Sequence, residues 1–234
     1  MVKKMKKILK ILCLIFMLVS CEVKPVSNNN NMAKVYYQYK TVEPYIALTF
    51  DDGPDKIQTI KVLDILKKYN IKATFFMLGE KIEYQKNILK KVYEAGHEIG
   101  NHFYTHDNIK KLSKDEIRQN IVKCNELIFS VTGKMPKVVR PPYGFVTENL
   151  KEVCAELNMS IIIWTDNKDS RDWELIKDSE IINNVTKKVS NGDIFLFHDG
   201  SKKYTNTLSA IDVVIPTLEK RGFKWVSISE LIKK

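Results

Sequence analysis

Two adjacent carboxylates, Asp51 and Asp52, stand in the hexapeptide Thr49-Phe50-Asp51-Asp52-Gly53-Pro54, directly after the apolar run Tyr45-Ile46-Ala47-Leu48. The run reads as a buried strand, and Gly-Pro behind the acids ends it. Adjacent like charges repel, so the pair is costly unless something cationic neutralises it. A divalent metal on one carboxylate and an arginine against the other would meet that need. Asp, Gly and Pro are also ordinary turn residues. The hexapeptide alone does not demand chemistry; residues downstream decide.

Asn101-His102-Phe103-Tyr104-Thr105-His106 places two imidazoles four residues apart. In a helical turn that spacing sets both on one face, able to share a metal. The chain has 4 histidines, and His102, His106 and His198 fall at or just beyond predicted strand ends. Two imidazoles with Asp52 make a three-ligand set that leaves positions for water and substrate, the open arrangement of hydrolytic zinc sites. Arg140, at the head of Arg140-Pro141-Pro142-Tyr143-Gly144, opens a rigid turn and could orient Asp51 in a charge-assisted pair. Asp169-Ser170-Arg171-Asp172-Trp173 is an acidic-aromatic loop, and Ile194-Phe195-Leu196-Phe197-His198-Asp199 ends a buried strand on an ionisable side chain. Each segment by itself has a plain reading, as a solvated histidine, a surface arginine or a loop with one packed tryptophan.

The elements that must position these groups alternate. Strands are predicted at residues 45–48, 73–78, 97–101, 138–140, 160–164, 193–198 and 223–226. Helices are predicted at residues 57–69, 82–94, 113–131, 147–157, 179–190, 207–220 and 229–233, with Ser113 and Glu116 forming a capping box. Tyr36, Tyr37 and Tyr39 read as an edge strand. Alternation of buried strands with helices predicts an α/β fold with a parallel sheet. About seven strand-helix units suit a distorted (β/α) barrel, with an open doubly wound sheet as the alternative. In either, sites gather at the carboxyl ends of strands, where Asp51, His102, Arg140 and His198 fall. No internal repeat is present.

The amino terminus carries a separate signal. Lysines precede the apolar run at residues 11–19, which has signal-peptide length and falls short of the ~20 residues of a spanning helix. Leu18-Val19-Ser20-Cys21 resembles a bacterial lipobox, in which the cysteine is lipidated and becomes the first mature residue. Residues 1–20 are therefore expected to be a lipoprotein signal peptide, 21–42 a polar tether containing Asn28-Asn29-Asn30-Asn31, and 43–234 the catalytic domain. Net charge is +10, half of it on Lys3, Lys4, Lys6, Lys7 and Lys10. The remaining excess suits an anionic surface polymer, and no basic stripe with interleaved aromatics points to nucleic acid. With Cys13 removed and Cys21 lipidated, Cys124 and Cys154 remain. Neither has a CxxC neighbour, which leaves two readings: buried free thiols or a disulfide.

Together the five segments, in this order, resemble the polysaccharide deacetylase family (carbohydrate esterase family 4, the NodB-homology domain) across residues 43–230. The resemblance implies a divalent metal, zinc with cobalt as the alternative, on Asp52, His102 and His106. It implies Asp51 as general base paired with Arg140, His198 as general acid tuned by Asp172, and the Tyr143 backbone N–H as an oxyanion donor. Trp173 would form a wall of the groove and Leu196 the pocket for the acetyl methyl. The family usually has Ser or Thr after the first metal histidine; Phe103 stands there instead. The implied protein is a monomeric, extracytoplasmic, membrane-anchored bacterial lipoprotein that deacetylates a surface polysaccharide, most simply peptidoglycan. Chitin-type oligomers, an exopolysaccharide or acetylated xylan are alternative substrates, and a non-catalytic sugar-binding lipoprotein is the alternative class.

Overall fold

The structure is a computed structural model that describes residues 32–233. The expected signal peptide, the lipobox with Cys21 and the first half of the expected tether lie outside the described residues; the second half, residues 32–42, is described and includes a strand of the sheet. Eight parallel strands run β1 (Val35–Tyr36), β2 (Tyr45–Gly53), β3 (Thr74–Met77), β4 (Glu98–Asn101), β5 (Val138–Val139), β6 (Ser160–Ile162), β7 (Ile194–His198) and β8 (Lys224–Trp225). Their order in the sheet is β1-β6-β5-β4-β3-β2-β7, with β8 pairing the start of β2. Beyond β6 the chain runs irregularly and bonds to β7: Thr165 N–H donates to Ile194 C=O at 3.0 Å, Leu196 N–H to Lys168 C=O at 3.0 Å and Ser170 N–H to Leu196 C=O at 3.1 Å. These bonds carry the sheet round to its other edge as a distorted (β/α) barrel.

The helices are α1 (Gln58–Lys68), α2 (Gly79–Tyr84), α3 (Lys86–Glu94), α4 (Lys114–Thr132), α5 (Glu148–Glu156), α6 (Asp178–Thr186), α7 (Thr205–Lys220) and α8 (Ile228–Leu231). The α4 capping box of Ser113 and Glu116 is present, and Gly133 ends the helix at φ 67°. The single helix expected over residues 82–94 is two, broken at Gln85 (φ −134°, ψ 36°). There the Gln85 side chain turns inward and donates to Pro54 C=O at 2.9 Å.

Alternation along β2 explains the layers. Ile46, Leu48 and Phe50 pack with Phe75, Phe195 and Phe197 against Val62 and Leu66 of α1 and Ile211, Val214 and Ile215 of α7. Ala47 faces the other way, in a cluster with Phe76, Val138, Ile162 and Ile194 that Ile228 and Leu231 of α8 plug from below. The barrel base, where strands begin, is thus closed by apolar side chains. Thr49 and Asp51 continue the inward face toward the open end. Cys124 and Cys154 are buried and free, as one of the two sequence readings had it. The described residues bury their own core and form one compact unit.

Candidate active site

Consecutive strand residues point to opposite faces, so Asp51 and Asp52 cannot both reach the barrel mouth from a regular strand. A bulge resolves this. Asp51 opposes Phe76 and Gly53 opposes Met77, leaving Asp52 unpaired in β2 at φ 71°. The extra residue re-aims the Asp52 carboxylate into the mouth. The acids therefore stand within the strand rather than on a loop after it. Lys81 Nζ holds the bulge by donating to the Asp52 and Gly200 carbonyls, each at 2.8 Å. A Cβ on Gly200 would lie 2.2 Å from Asp52 O, so only glycine permits this approach.

His102 and His106 are brought together by a loop and not by a helical turn. Phe103 adopts φ 69°, and its N–H donates to Asn101 Oδ1 at 2.6 Å. Asn101 in turn donates to Ile121 C=O at 2.9 Å and Asn125 Oδ1 at 2.8 Å of α4. Thr105 N–H bonds Asn120 Oδ1 at 3.0 Å. Buried Phe103 packs with Ile109, Ile117 and Ile121, so apolar contact and the Asn101 amide hold the loop that a hydroxyl would otherwise help to hold.

His102 Nδ1 lies 2.8 Å from Arg140 C=O. A carbonyl only accepts, so the proton is on Nδ1 and the Nε2 lone pair is left free. That lone pair faces Asp52 Oδ1 at 3.4 Å, and His106 Nε2 is 3.5 Å from the same oxygen. Asp52 Oδ1 is buried with no hydrogen-bond partner, and the three ligand atoms lie within 4.8 Å of one another. A lone pair against an unpartnered carboxylate oxygen calls for a cation between them. Burial, with His102 alongside, holds His106 below its ordinary pKa, which favours a neutral, ligating imidazole. The set fits a divalent metal.

Two ion pairs flank it. Arg140, fully buried, donates from Nη1 to Asp51 Oδ1 and to Thr49 Oγ1, both at 2.7 Å. Its Nε and Nη2 reach the Ile162 and Ile163 carbonyls, each at 3.2 Å. Phe76 lies beneath the guanidinium at 4.2 Å. Across the mouth, His198 Nδ1 meets Asp172 Oδ1 at 2.6 Å. Asp172 Oδ2 accepts from His198 N–H at 2.9 Å and Thr207 Oγ1 at 2.7 Å. Burial alone would lower the His198 pKa, but the Asp172 carboxylate outweighs it and raises His198 to about 9.

These groups meet in a cleft of about 360 Å³ at the carboxyl ends of the strands. Asp51, Asp52, His102, His106, Tyr143, Trp173, Leu196 and His198 line it, while Arg140 and Asp172 stand directly behind Asp51 and His198. Tyr143, at φ 59° in the turn Pro142–Gly144, sets its ring 4.6 Å from that of His106. Trp164, Asp169 and Tyr204 also line the cleft without having been assigned a role from sequence. Trp164 follows β6 and Asp169 opens the acidic-aromatic loop, so position could have flagged both. Tyr204 precedes α7 and carried no signal. Asp199 was missed as well: fully buried behind Gly53, it accepts from Thr59 Oγ1 at 2.5 Å, and burial pushes its carboxyl up to about 7.

An open barrel mouth with an Asp-His-His metal set, a carboxylate-arginine pair and a carboxylate-histidine pair defines a metal-assisted hydrolase. The family model for polysaccharide deacetylase matches residues 38–162. Peptidoglycan-N-acetylglucosamine deacetylase of Bacillus cereus is 39% identical over 202 residues, covering 84% of this chain and 73% of that protein. The crystal structure of the Bc1960 peptidoglycan N-acetylglucosamine deacetylase superposes with a TM-score of 0.83 at 37% identity, covering 87% of this chain and 94% of that one. A family 4 acetyl xylan esterase from Clostridium thermocellum, solved with a cobalt ion, gives a TM-score of 0.73 at 34% identity, over 81% of this chain and 90% of that one. The chain belongs to the polysaccharide deacetylase family.

Proposed function

We propose that the protein hydrolyses N-acetyl groups from the N-acetylglucosamine residues of peptidoglycan, with zinc, or cobalt as the alternative, held by Asp52, His102 and His106. The observation that carries this reading is the pairing of Asp51 with Arg140 and of His198 with Asp172 on one cleft. It supports a base and an acid serving a single acetamide. A metal here supplies Lewis-acid polarisation of the acetamide carbonyl and activation of water.

The chain's own residues do the rest. Arg140 fixes Asp51 Oδ1 and leaves Oδ2, 3.9 Å from His102 Nε2, to take a proton as water adds to the carbonyl carbon. The Tyr143 N–H is offered to the oxyanion that develops. With Nδ1 engaged by Asp172, His198 uses Nε2 to protonate the sugar nitrogen as the C–N bond breaks, so acetate and a free amine leave. Leu196 receives the acetyl methyl, and Trp173, half exposed, forms a wall for the sugar. The named relatives support peptidoglycan as the polymer.

The protein reaches that polymer, in this reading, as a monomeric extracytoplasmic lipoprotein: residues 1–20 are removed, Cys21 is lipidated, and the residues after it up to about residue 31 link it to the folded unit, which includes β1. Two acyl chains suffice for stable anchoring. Among the described residues no helix is long and apolar enough to cross a membrane. Cys21→Ala should release the protein from the membrane fraction or leave it unprocessed; unchanged mass and membrane association would refute the anchor.

Acetate release from peptidoglycan, chitin-type oligomers, an exopolysaccharide and acetylated xylan, each with and without chelator, tests the activity. Chelator-sensitive release that is highest on peptidoglycan is expected. Preference for another glycan would reassign the substrate, and no release from any would favour a sugar-binding lipoprotein.

A further inference from the structure

The charge character reverses at the base of the barrel. Lys67 and Lys68 end α1, with Lys68 paired to Asp212 at 2.7 Å, Lys72 lies between α1 and β3, and Lys134 and Lys137 flank the approach to β5. A cleft of about 450 Å³ lies there, and Lys72, Lys134, Lys137, Lys233 and Met135 line part of its wall. The acids in that wall are engaged internally. Glu98 accepts from Thr74 Oγ1 at 2.8 Å and Ser229 N–H at 3.0 Å, and Glu230 closes a capping box on Ser227. Lys72 Nζ donates to Ala95 C=O at 2.7 Å, and Lys134 Nζ stands 5.5 Å over the Tyr93 ring. None of the four lysines forms an ion pair among the described residues.

An apolar side chain stands among these ammonium groups: Met135, between Lys134 and Lys137 in sequence, is 48% exposed. The amino-terminal approach of the described chain is also here. Lys137 C=O accepts from Ser160 N–H and Lys34 C=O from Ile161 N–H, both at 2.9 Å, so the chain comes into β1 on the rim that bears Lys137. Only ten residues separate Cys21 from Met32, a reach of at most ~40 Å when fully extended. At the opposite end, Asp51, Asp52, Asp169 and Asp172 gather at or behind the mouth.

We propose that the base of the barrel docks on a membrane leaflet rich in anionic phospholipid. Lys72, Lys134, Lys137 and Lys233 take headgroup phosphates and Met135 enters the interface, which turns the catalytic cleft away from the membrane and toward the wall. Clustered lysines beside an exposed apolar side chain are the chemistry that anionic leaflets attract. The biological setting rests on the lipoprotein reading above, whereas the lipid contact belongs to the folded unit.

The test uses residues 32–234, a unit with its own core that lacks Cys21, so its result is independent of lipidation. It is sedimented with vesicles of phosphatidylcholine alone or with ~30% phosphatidylglycerol. Binding is expected only to the anionic vesicles and should fall as salt is raised. Lys72→Glu/Lys134→Glu/Lys137→Glu should weaken it at least ~10-fold, with acetate release from a soluble substrate unchanged. Lys137→Glu alone, on an exposed side chain, should act in the same direction if the triple variant folds poorly. Lys110→Glu/Lys111→Glu at the mouth end should bind as the wild type. Equal binding to neutral and anionic vesicles, or full binding by both base variants, overturns the proposal. So does retention by a soluble poly(glycerol phosphate) that vesicles fail to displace, since the partner would then be a polymer.

Discussion

The two ends of the barrel handle backbone strain in opposite ways. At the mouth, positive φ falls on Asp52 (71°), Phe103 (69°), Tyr143 (59°), Arg171 (58°) and Leu175 (59°), of which all but Asp52 are types that disfavour it, and on Gly144 beside Tyr143. At the base it falls on Asn70, Asn158, Gly96, Gly133, Gly192 and Gly222, which tolerate it, with Lys188 as the exception. Asp52 and Tyr143 line the cleft, Phe103 follows His102, and Arg171 and Leu175 bracket the turn that carries Asp172 and Trp173. Each strained residue costs about 1–3 kcal/mol and persists because its surroundings over-determine it. The difference teaches that the mouth gives up stability to aim side chains, while the base, plugged by α8, is built for closure.

The sharpest way to break this comparison is to disarm the mouth and leave the base alone. Asp52→Ala and His102→Ala should lose both metal, by elemental analysis, and acetate release. Asp51→Asn should keep the metal and glycan binding while acetate release falls by ~10²-fold or more. Near-normal turnover in Asp51→Asn would falsify the base assignment.

His198 sharpens the same contrast through pH. It is protonated below its pKa of about 9, so activity should decline as pH rises through that value. Asp172→Asn removes the charge that opposes burial, so the decline should move to markedly lower pH while metal content stays unchanged. A pH profile with the same alkaline limb in both proteins would remove Asp172 from the assignment.

Glycine substitution compares the ends directly. A Cβ on Gly200 meets Asp52 backbone and side-chain atoms, whereas one on Gly133 at φ 67° meets nothing within 4 Å. Gly133→Ala should cost about 1 kcal/mol, from backbone conformation alone. Gly200→Ala should cost more in urea unfolding and weaken metal retention as well. Equal costs, with metal unaffected, would mean that the Asp52 bulge needs no such support.

The last contrast belongs to the base, where no metal or turnover is involved. Burial, with Lys72 nearby, lowers the His97 pKa from 6.5 to about 4, and its Nδ1 accepts from Ala73 N–H at 3.2 Å. The unfolded chain therefore binds the proton first. The contribution is present above the unfolded pKa of 6.5 and is lost as pH falls toward 4. Between pH 7 and pH 5 about 2 kcal/mol should disappear from the unfolding free energy. His97→Gln should flatten that slope; an unchanged slope would show that His97 titrates normally.

Much of this was legible in one dimension. Adjacent acids after an apolar run announce a need for cations, because like charges repel wherever the chain goes. Strand-helix alternation follows from burial periodicity, and a parallel sheet then assigns chemistry to its carboxyl edge, where Asp51, Asp52, His102, Arg140 and His198 are found. Local pattern fails where atoms from distant segments must meet. Spacing suggested a helical turn for His102 and His106, but Asn101, braced by Asn125, fixes a loop instead. The bulge that aims Asp52 depends on pairing with β3, and the break at Gln85 on a carbonyl 31 residues away. The proton on His102 is set by Arg140 C=O, 38 residues on, and Tyr204 reaches the cleft only because α7 packs beside β7. Sequence determined which residue types would be needed and at which edge of the sheet. Tertiary structure decided which atom of each faces which, because hydrogen-bond direction and backbone handedness arise from contacts that no local window contains.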